Sequence, residues 1–251
     1  MKKKNLVIDF GNTFVKIALF ENLKLTEIFI LPNNEIGKVE DILKKVKEIS
    51  TEINVIISSV IPYPEKIKLF LENNFHFTEF TTVTPIPLVN KYKTPATLGI
   101  DRLAAAVGAT SIYPKKNILV IDAGTCITYD FINSKNEFIG GSISPGLNIR
   151  FKAINDYTAN LPLLAPESID YLTGQNTKES ILSGILNGAI AEMDGFIEMY
   201  KKQYNEIIVV LTGGDYKFFE KKLKSSIFAV PNLVLTGLNV ILEFNAKKNK
   251  S

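Results

Sequence analysis

The 251-residue chain has no tryptophan, one cysteine and one histidine. A single cysteine, Cys126, excludes a disulfide within the chain. One His76 and one Cys126 cannot build a zinc site of the His–Cys cluster type. They also exclude a Ser-His-Asp triad unless His76 serves it. His76 stands in NNFHFTEF, an alternating stretch that reads as a strand, and is expected to be an ordinary structural or surface residue. No apolar run approaches the ~18 residues that a membrane span needs. Asp9 interrupts the short apolar segment behind the basic N-terminus, so no secretory signal is expected, and the protein is expected to be cytoplasmic. Excess charge is also missing. The 29 basic and 26 acidic residues leave +3, a balance that supports neither nucleic-acid binding nor membrane docking. The clustered lysines Lys2–Lys4 and Lys247–Lys250 read as solvated tails.

What the chain does have is ample apolar material. Its residues are 46% hydrophobic and 22% charged, the composition of a soluble globular protein with one large domain or two small ones. Strands are expected near 5–10, 14–20 and 25–31, followed by a helix over 35–49 whose apolar residues recur at helical spacing. A strand at Asn54–Val60, a helix at Pro64–Asn73 and a strand at Phe75–Val83 follow. Thr84–Gly99 is proline-rich and reads as a loop, and long loops often carry function. A helix over 100–113 comes next.

The opening pattern then returns. NLVIDFGNTFVKIALF has its counterpart in NILVIDAGTCITYDFI, and Asp122 follows Asp9 by 113 residues. A third strand near Glu137–Ser144, the GGSISPG segment with a helix from about 146, a long helix over about 178–203, a strand at Glu206–Leu211, TGGD, a further helix, a short strand and a helix over 237–246 complete the second half. Duplication on this scale predicts two similar α/β domains, 1–115 and 116–251, with a cleft between them.

Each half carries Asp-x-Gly followed by a threonine at its first turn. Glycine lets backbone N–H groups approach an anion, Asn12, Thr13 and Thr125 add donors, and Lys16 adds a cation. Asp9 and Asp122 can only accept hydrogen bonds, so they suit a hard cation that bridges to phosphate. One such hairpin is equally well a turn closed by an Asx bond; two in matching positions point to a ligand. There is no GxxxxGK[ST] loop and no GxGxxG fingerprint. The Asp9–Gly11 triplet lacks the other protein-kinase motifs.

In YKTPATLGIDRLAAAVGA, loop gives way to helix around Leu98–Asp101. Asp101 favours the helix dipole there, but Arg102 is not explained that way. The pair suits a site where one residue takes a proton and the other meets an anion. GGSISPG precedes a helix start that can receive an anion, or is a tight strand-to-helix connection. In TGQNTKES, Asn176 with Glu179, or Thr177 alone, can cap the long helix. LTGGD is a place where an adenosine can lie against backbone. Gly184 and Gly188 each cost the long helix ~1 kcal/mol against alanine, which close packing of another helix would explain, within the chain or across a dimer.

Together these motifs resemble the superfamily of acetate and sugar kinases, heat-shock chaperone ATPases and actin, whose domains are ribonuclease-H-like with mixed sheets flanked by helices. Within it the chain resembles the type III pantothenate kinases, through DFGNTFVK, LGIDR, DAGT, GGSISPG, ANLP, GQNT, SILSG, TGGD and LVLTGLN in that order. The resemblance implies ATP-dependent phosphorylation of pantothenate to 4'-phosphopantothenate, the first step to coenzyme A. It implies that Asp9, Phe10, Gly11, Asn12, Thr13, Phe14, Val15 and Lys16 form a phosphate-binding loop and that Thr125 contacts ATP. It makes Asp101 the general base, with Tyr92, Gly99, Ile100, Asp101, Arg102 and Thr177 at the substrate. Asp122 would bind a monovalent cation, K+ or NH4+, with Mg2+ accompanying the nucleotide in a homodimer. Domain closure would exclude water. Cys126 departs from the small alanine or serine usual after DAGT, and strand packing is its expected role. Another sugar or amino-sugar kinase, a nucleotide-driven switch or filament former, and a degenerate regulator are the alternatives. The last is disfavoured by the intact Asp9, Asp101, Asp122 and Thr125.

Overall fold

The computed structural model describes residues 4–49 and 53–248. Lys2, Lys3 and Lys250 of the expected lysine tails lie outside them. The chain runs β1 Lys4–Phe10, β2 Phe14–Glu21, β3 Lys24–Pro32, α1 Lys38–Ile49, β4 Ile53–Ser59, α2 Glu65–Asn74, β5 His76–Glu79, β6 Val89–Asn90 and α3 Ile100–Ile112. It continues with β7 Asn117–Ala123, β8 Cys126–Ile132, β9 Glu137–Pro145, α4 Leu147–Asp156, α5 Thr177–Gln203, β10 Ile207–Thr212, α6 Tyr216–Glu220, β11 Phe228–Ala229 and α7 Leu233–Lys248.

The chain divides into two compact units. The first comprises Met1–Pro114, Asn136–Phe138 and Asn232–Ser251; the second comprises Lys115–Lys135 and Ile139–Pro231. In the first, the sheet order is β3-β2-β1-β4-β5. β1 pairs antiparallel with β2 and parallel with β4, so the sheet is mixed. Five strands of the second, six-stranded sheet repeat that order as β9-β8-β7-β10-β11, with β7 antiparallel to β8 and parallel to β10. The expected duplication is therefore present in topology as well as in sequence. Central strands buried on both faces need near-continuous apolar runs, and Leu6–Ile8 and Ile118–Ile121 supply them, wholly buried in each sheet.

The division at 115 expected from the sequence leaves the last helix with the second half. Its packing instead places α7 with the first unit. Leu235, Leu238, Ile241 and Leu242 are buried, and α7 lies against α3, β1 and β4. A buried amide pair adds direction to this apolar contact. The Asn5 side chain donates to Asn239 Oδ1 and to Glu243 Oε1, both at 2.7 Å. Asn239 in turn donates to the Asn22 carbonyl at 2.8 Å, at the β2–β3 turn. Buried polar groups must find partners, so this network admits few alternative dockings.

Other departures are local. β5 is shorter than the expected 75–83. Thr84 N–H donates to the Thr81 carbonyl at 3.1 Å, and Thr81 N–H donates to Thr84 Oγ1 at 2.9 Å, closing a turn there. α7 begins at Leu233, four residues before the expected 237. His76 is exposed at the start of β5, as its surroundings imply. Among the described residues no helix is long and apolar enough to cross a membrane.

Candidate active site

β1 carries Asp9 and Phe10 to the first hairpin turn. Asp9 is buried and stands in register with Lys16 on β2 and Ser58 on β4. The Ser58 hydroxyl is wholly buried and has no hydrogen-bond partner among the described residues. The turn is held from behind. Gly11 N–H donates to the Phe14 carbonyl at 3.0 Å. Asn33 donates from its side chain to the carbonyls of Gly11 (3.1 Å) and Asn12 (2.9 Å), and from its backbone to that of Thr13 (3.2 Å). With those carbonyls engaged, Asn12, Thr13 and Phe14 stand exposed, while Val15 is buried. The Phe10 ring stacks on Tyr63 at 5.0 Å. The Tyr63 hydroxyl donates to Glu79 at 2.9 Å, and burial together with that carboxylate pushes its pKa up.

The second hairpin repeats this plan one residue shorter. Asp122 stands in register with Thr128 on β8 and Thr212 on β10. Gly124 N–H donates to the Cys126 carbonyl at 2.9 Å, and Thr125 is exposed. The Thr125 carbonyl accepts from Gly146 N–H at 3.0 Å, so GGSISPG closes on this turn. TGGD closes on it too: Asp215 N–H donates to the Ala123 carbonyl at 2.9 Å, and burial raises the Asp215 carboxyl pKa. Cys126 does not pack into the sheet as expected. It opens β8 with its side chain exposed, because the alternation of β8 buries Ile127 and Tyr129 instead.

The substrate candidates of the first unit converge at the start of α3. Asp101 Oδ1 accepts from Arg102 N–H at 2.8 Å. That folds the carboxylate back over Gly99, where a Cβ would lie 2.5 Å from Oδ1, so a side chain at 99 would push the carboxylate out of this position. Ile100 opens the helix. Arg102 is buried, with its guanidinium 5.8 Å from the Tyr92 ring centroid and 5.9 Å from that of Phe138. Both distances lie within cation–π range. β6 pairs with the first residues of β9, and Lys91 N–H donates to the Phe138 carbonyl at 2.9 Å. That pairing brings the two rings together, 6.2 Å apart.

Thr177 lies in the second unit, exposed at the first position of α5. The capping belongs to its neighbours: Asn176 accepts from Glu179 N–H at 3.0 Å, and Glu179 accepts from Gln175 N–H at 2.8 Å. Thr177 is thus not spent on the helix end. Below it, Gly184, Gly188, Ala191 and Gly195 are exposed along one face of α5. Among the described residues no atom lies within 4 Å of a Cβ built at any of the three glycines, so an intrachain neighbour does not explain them.

Sequence reasoning missed Asn33, Tyr63 and Phe138. Phe138 carries a weak signal, an apolar residue opening a strand. Asn33 and Tyr63 carry none, since what they touch is distant in sequence.

Two mixed sheets of one strand order, each with an Asp-bearing hairpin on its first strand, define an actin-like ATPase fold of the kind shared with sugar kinases. Two solved structures have that fold. The activator of the 2-hydroxyisocaproyl-CoA dehydratase from Clostridium difficile with bound ADPNP is 14% identical, with a TM-score of 0.54 over 100% of this chain and 97% of that one. The apo psk41 parM protein is 12% identical, with a TM-score of 0.55 over 100% of both chains. The particular family comes from sequence. The model of the type III pantothenate kinases matches residues 5–199. Relatives called type III pantothenate kinase include that of Flavobacterium johnsoniae, 42% identical over 95% of this chain and 97% of its own. That of Phocaeicola vulgatus is 44% identical over 97% of this chain and 99% of its own. The chain belongs to the type III pantothenate kinase family.

Proposed function

We propose that this chain transfers the γ-phosphoryl group of ATP to the primary hydroxyl of pantothenate, giving 4'-phosphopantothenate for coenzyme A synthesis, with Asp101 as general base. Family membership supports the reaction. The observation that carries the assignment of roles is the start of α3. There a carboxylate folded over Gly99 adjoins an arginine held against both Tyr92 and Phe138. Asp101 accepts the proton of the attacking hydroxyl. Arg102, its planar charge fixed by the two rings, meets the carboxylate of pantothenate or the charge on the transferring group. Tyr92, Gly99 and Ile100 shape the acceptor site, and Thr177 also touches substrate. Asp9 to Lys16 bind the phosphates, and Thr125 contacts ATP.

Phosphoryl transfer asks mainly for positioning and charge neutralisation. Among the described residues, no three His, Cys, Asp or Glu side chains cluster as a metal site. Asp122 is assigned to hold K+ or NH4+, which would supply fixed positive charge near the phosphates. Mg2+ would come with the nucleotide, whose phosphates provide most of its ligands. The Asp122→Asn variant is expected to lose most of its rate response to potassium, measured by titrating KCl into a sodium buffer. An unchanged response places the cation elsewhere.

The small-residue face of α5 supports a homodimer, because glycines and alanine let helix backbones approach closely. Gly188→Leu is expected to shift sedimentation toward monomer while leaving helix content intact, since leucine is the better helix former by just under ~1 kcal/mol. An unchanged dimer assigns the contact to another surface. The setting is the cytoplasm, where ATP is available. The direct test of the reaction is ADP release with pantothenate, with and without potassium, against hexoses and amino sugars. Release with a sugar and none with pantothenate rejects the acceptor.

A further inference from the structure

One charged cluster of the second unit has no part in the roles above. Arg150, in α4, donates from Nε to the Pro145 carbonyl at 2.8 Å and from Nη2 to Ser144 Oγ at 2.7 Å. Nη2 also meets Glu192 Oε2, on α5, at 2.6 Å. Glu192 Oε1 accepts from the Tyr129 hydroxyl of β8 at 2.9 Å, and the Tyr129 ring stacks on Phe196 at 4.2 Å. The Arg150 and Glu192 side chains are only 20% and 26% exposed. Burial pushes the Glu192 carboxyl up, but hydrogen bonds from Ser144, Arg150 and Tyr129 outweigh it and hold the group below its ordinary range. The cluster is therefore an ion pair with an aromatic hydroxyl on one side and a backbone turn on the other.

What the arginine grips is informative. A pair that merely joined α4 to α5 would need one contact; Arg150 spends two more on the Ser144–Pro145 segment. The residue after that segment is Gly146, whose N–H donates to the Thr125 carbonyl. A Cβ on Gly146 would lie 2.1 Å from the Gly124 carbonyl oxygen and 2.5 Å from that of Thr125. Backbone rests directly on backbone here, so a shift of the Ser144–Gly146 turn moves the Thr125 turn with it. A continuous chain of contacts thus runs from Glu192 through Arg150, Pro145 and Gly146 to Thr125.

We propose that Arg150 and Glu192 are positioning residues for the nucleotide: they hold the Ser144–Gly146 turn against the second hairpin and so set where Thr125 stands. This rests on the reading of Thr125 as an ATP contact. The planar guanidinium reaches a carbonyl from Nε and a hydroxyl and a carboxylate from Nη2, a fixed spread of donors that the single ammonium nitrogen of a lysine does not reproduce. Tyr129 and Phe196 fix the far end, so the carboxylate does not swing away with solvent.

The test uses the full chain and two readouts: steady-state kinetics in both substrates, and equilibrium binding of a fluorescent ADP analogue with no acceptor present. Glu192→Ala and Arg150→Ala are each expected to raise the ATP KM and the ADP-analogue Kd ~10-fold, within the range by which contiguous contacts couple a remote residue to a site. The pantothenate KM stays where it is. Glu192→Gln, which keeps an acceptor oxygen, recovers most of the affinity. The double alanine variant costs no more than the worse single one, because the two act as one unit. Arg150→Lys keeps the charge beside Glu192 and serves if the alanine variants do not fold; it too should raise the ATP KM. An unchanged ATP KM in a folded Arg150 or Glu192 alanine variant, or equal losses for both substrates, overturns the proposal. Unaltered protein that fails to bind the ADP analogue instead removes the nucleotide reading on which it stands.

Discussion

Asp101→Asn is expected to fold like the unaltered chain and to turn over pantothenate at least ~10²-fold more slowly, the usual scale for removing a general base. The folding half of this expectation comes from the local geometry. Asp101 uses Oδ1 to accept from Arg102 N–H, over the open face of Gly99. Asparagine retains that oxygen in the same place, so the first turn of α3 and the caged Arg102 keep their arrangement. What it loses is the ability to take up a proton. The loss should therefore appear in kcat, with ATP and pantothenate KM values nearly unchanged. A variant with near-normal kcat removes Asp101 from the role of base and leaves it as a binding residue. A variant with melting lowered by many degrees would mean that the carboxylate charge, rather than its geometry, supports the helix start.

Gly237→Ala is expected to be the most damaging single methyl in the first unit. Inside a helix that exchange ordinarily gains about 1 kcal/mol. In α7 the sign reverses. A Cβ on Gly237 would lie 1.7 Å from the Ala104 carbonyl oxygen and 2.9 Å from Gly108 N, and one on Gly108 would lie 2.6 Å from the Leu233 carbonyl oxygen. The α3 and α7 backbones therefore touch, and neither side offers a flexible side chain that can yield. To admit the methyl, the helices must separate along a contact that seats Leu233 against Gly108, beside further buried residues of both helices such as Val107 and Leu238. Overpacking costs of ~1–3 kcal/mol, or more where backbone must move, exceed the propensity gain. Thermal and urea unfolding should show a net loss of ~2 kcal/mol or more. An unchanged or raised midpoint would mean that the two helices do not cross at these glycines. Because Gly99, Asp101 and Arg102 stand at the start of α3, partial separation should reduce pantothenate affinity as well.

Much of the candidate site was legible along the chain. The two hairpins announce themselves because strand, carboxylate, glycine and strand occupy adjacent positions, and the pattern recurs at a fixed distance. LGIDR is legible for the same reason: helix start, glycine and paired charges are consecutive residues. The register that sets Asp9 beside Lys16, and Asp122 beside Thr128, follows from hairpin length alone. Local reading also supplied two open choices at α5. Asn176 with Glu179 proved to be the cap, while among the described residues no intrachain helix packs on the exposed glycines.

Other features depend on residues that no window contains together. Asn33 pins the first turn from 22 and 21 residues away. Phe138 reaches Arg102 only because β6 pairs with the start of β9. Arg150 meets Glu192 across 42 residues of chain. The docking of the last helix is hidden for the same reason. Periodicity shows that α7 has an apolar face but carries no information about which sheet receives it, and the partners that decide, Asn5 and Asn22, lie more than 200 residues earlier. By itself the sequence determined the duplicated strand order, the two carboxylate hairpins, the Asp101–Arg102 pair and the family, since each is written in neighbouring residues or their repetition. Tertiary structure alone decided which backbone braces each turn, what cages Arg102, and where α7 docks. Those outcomes are set by close packing and by the need of buried polar groups for partners, and both act between residues far apart in the chain.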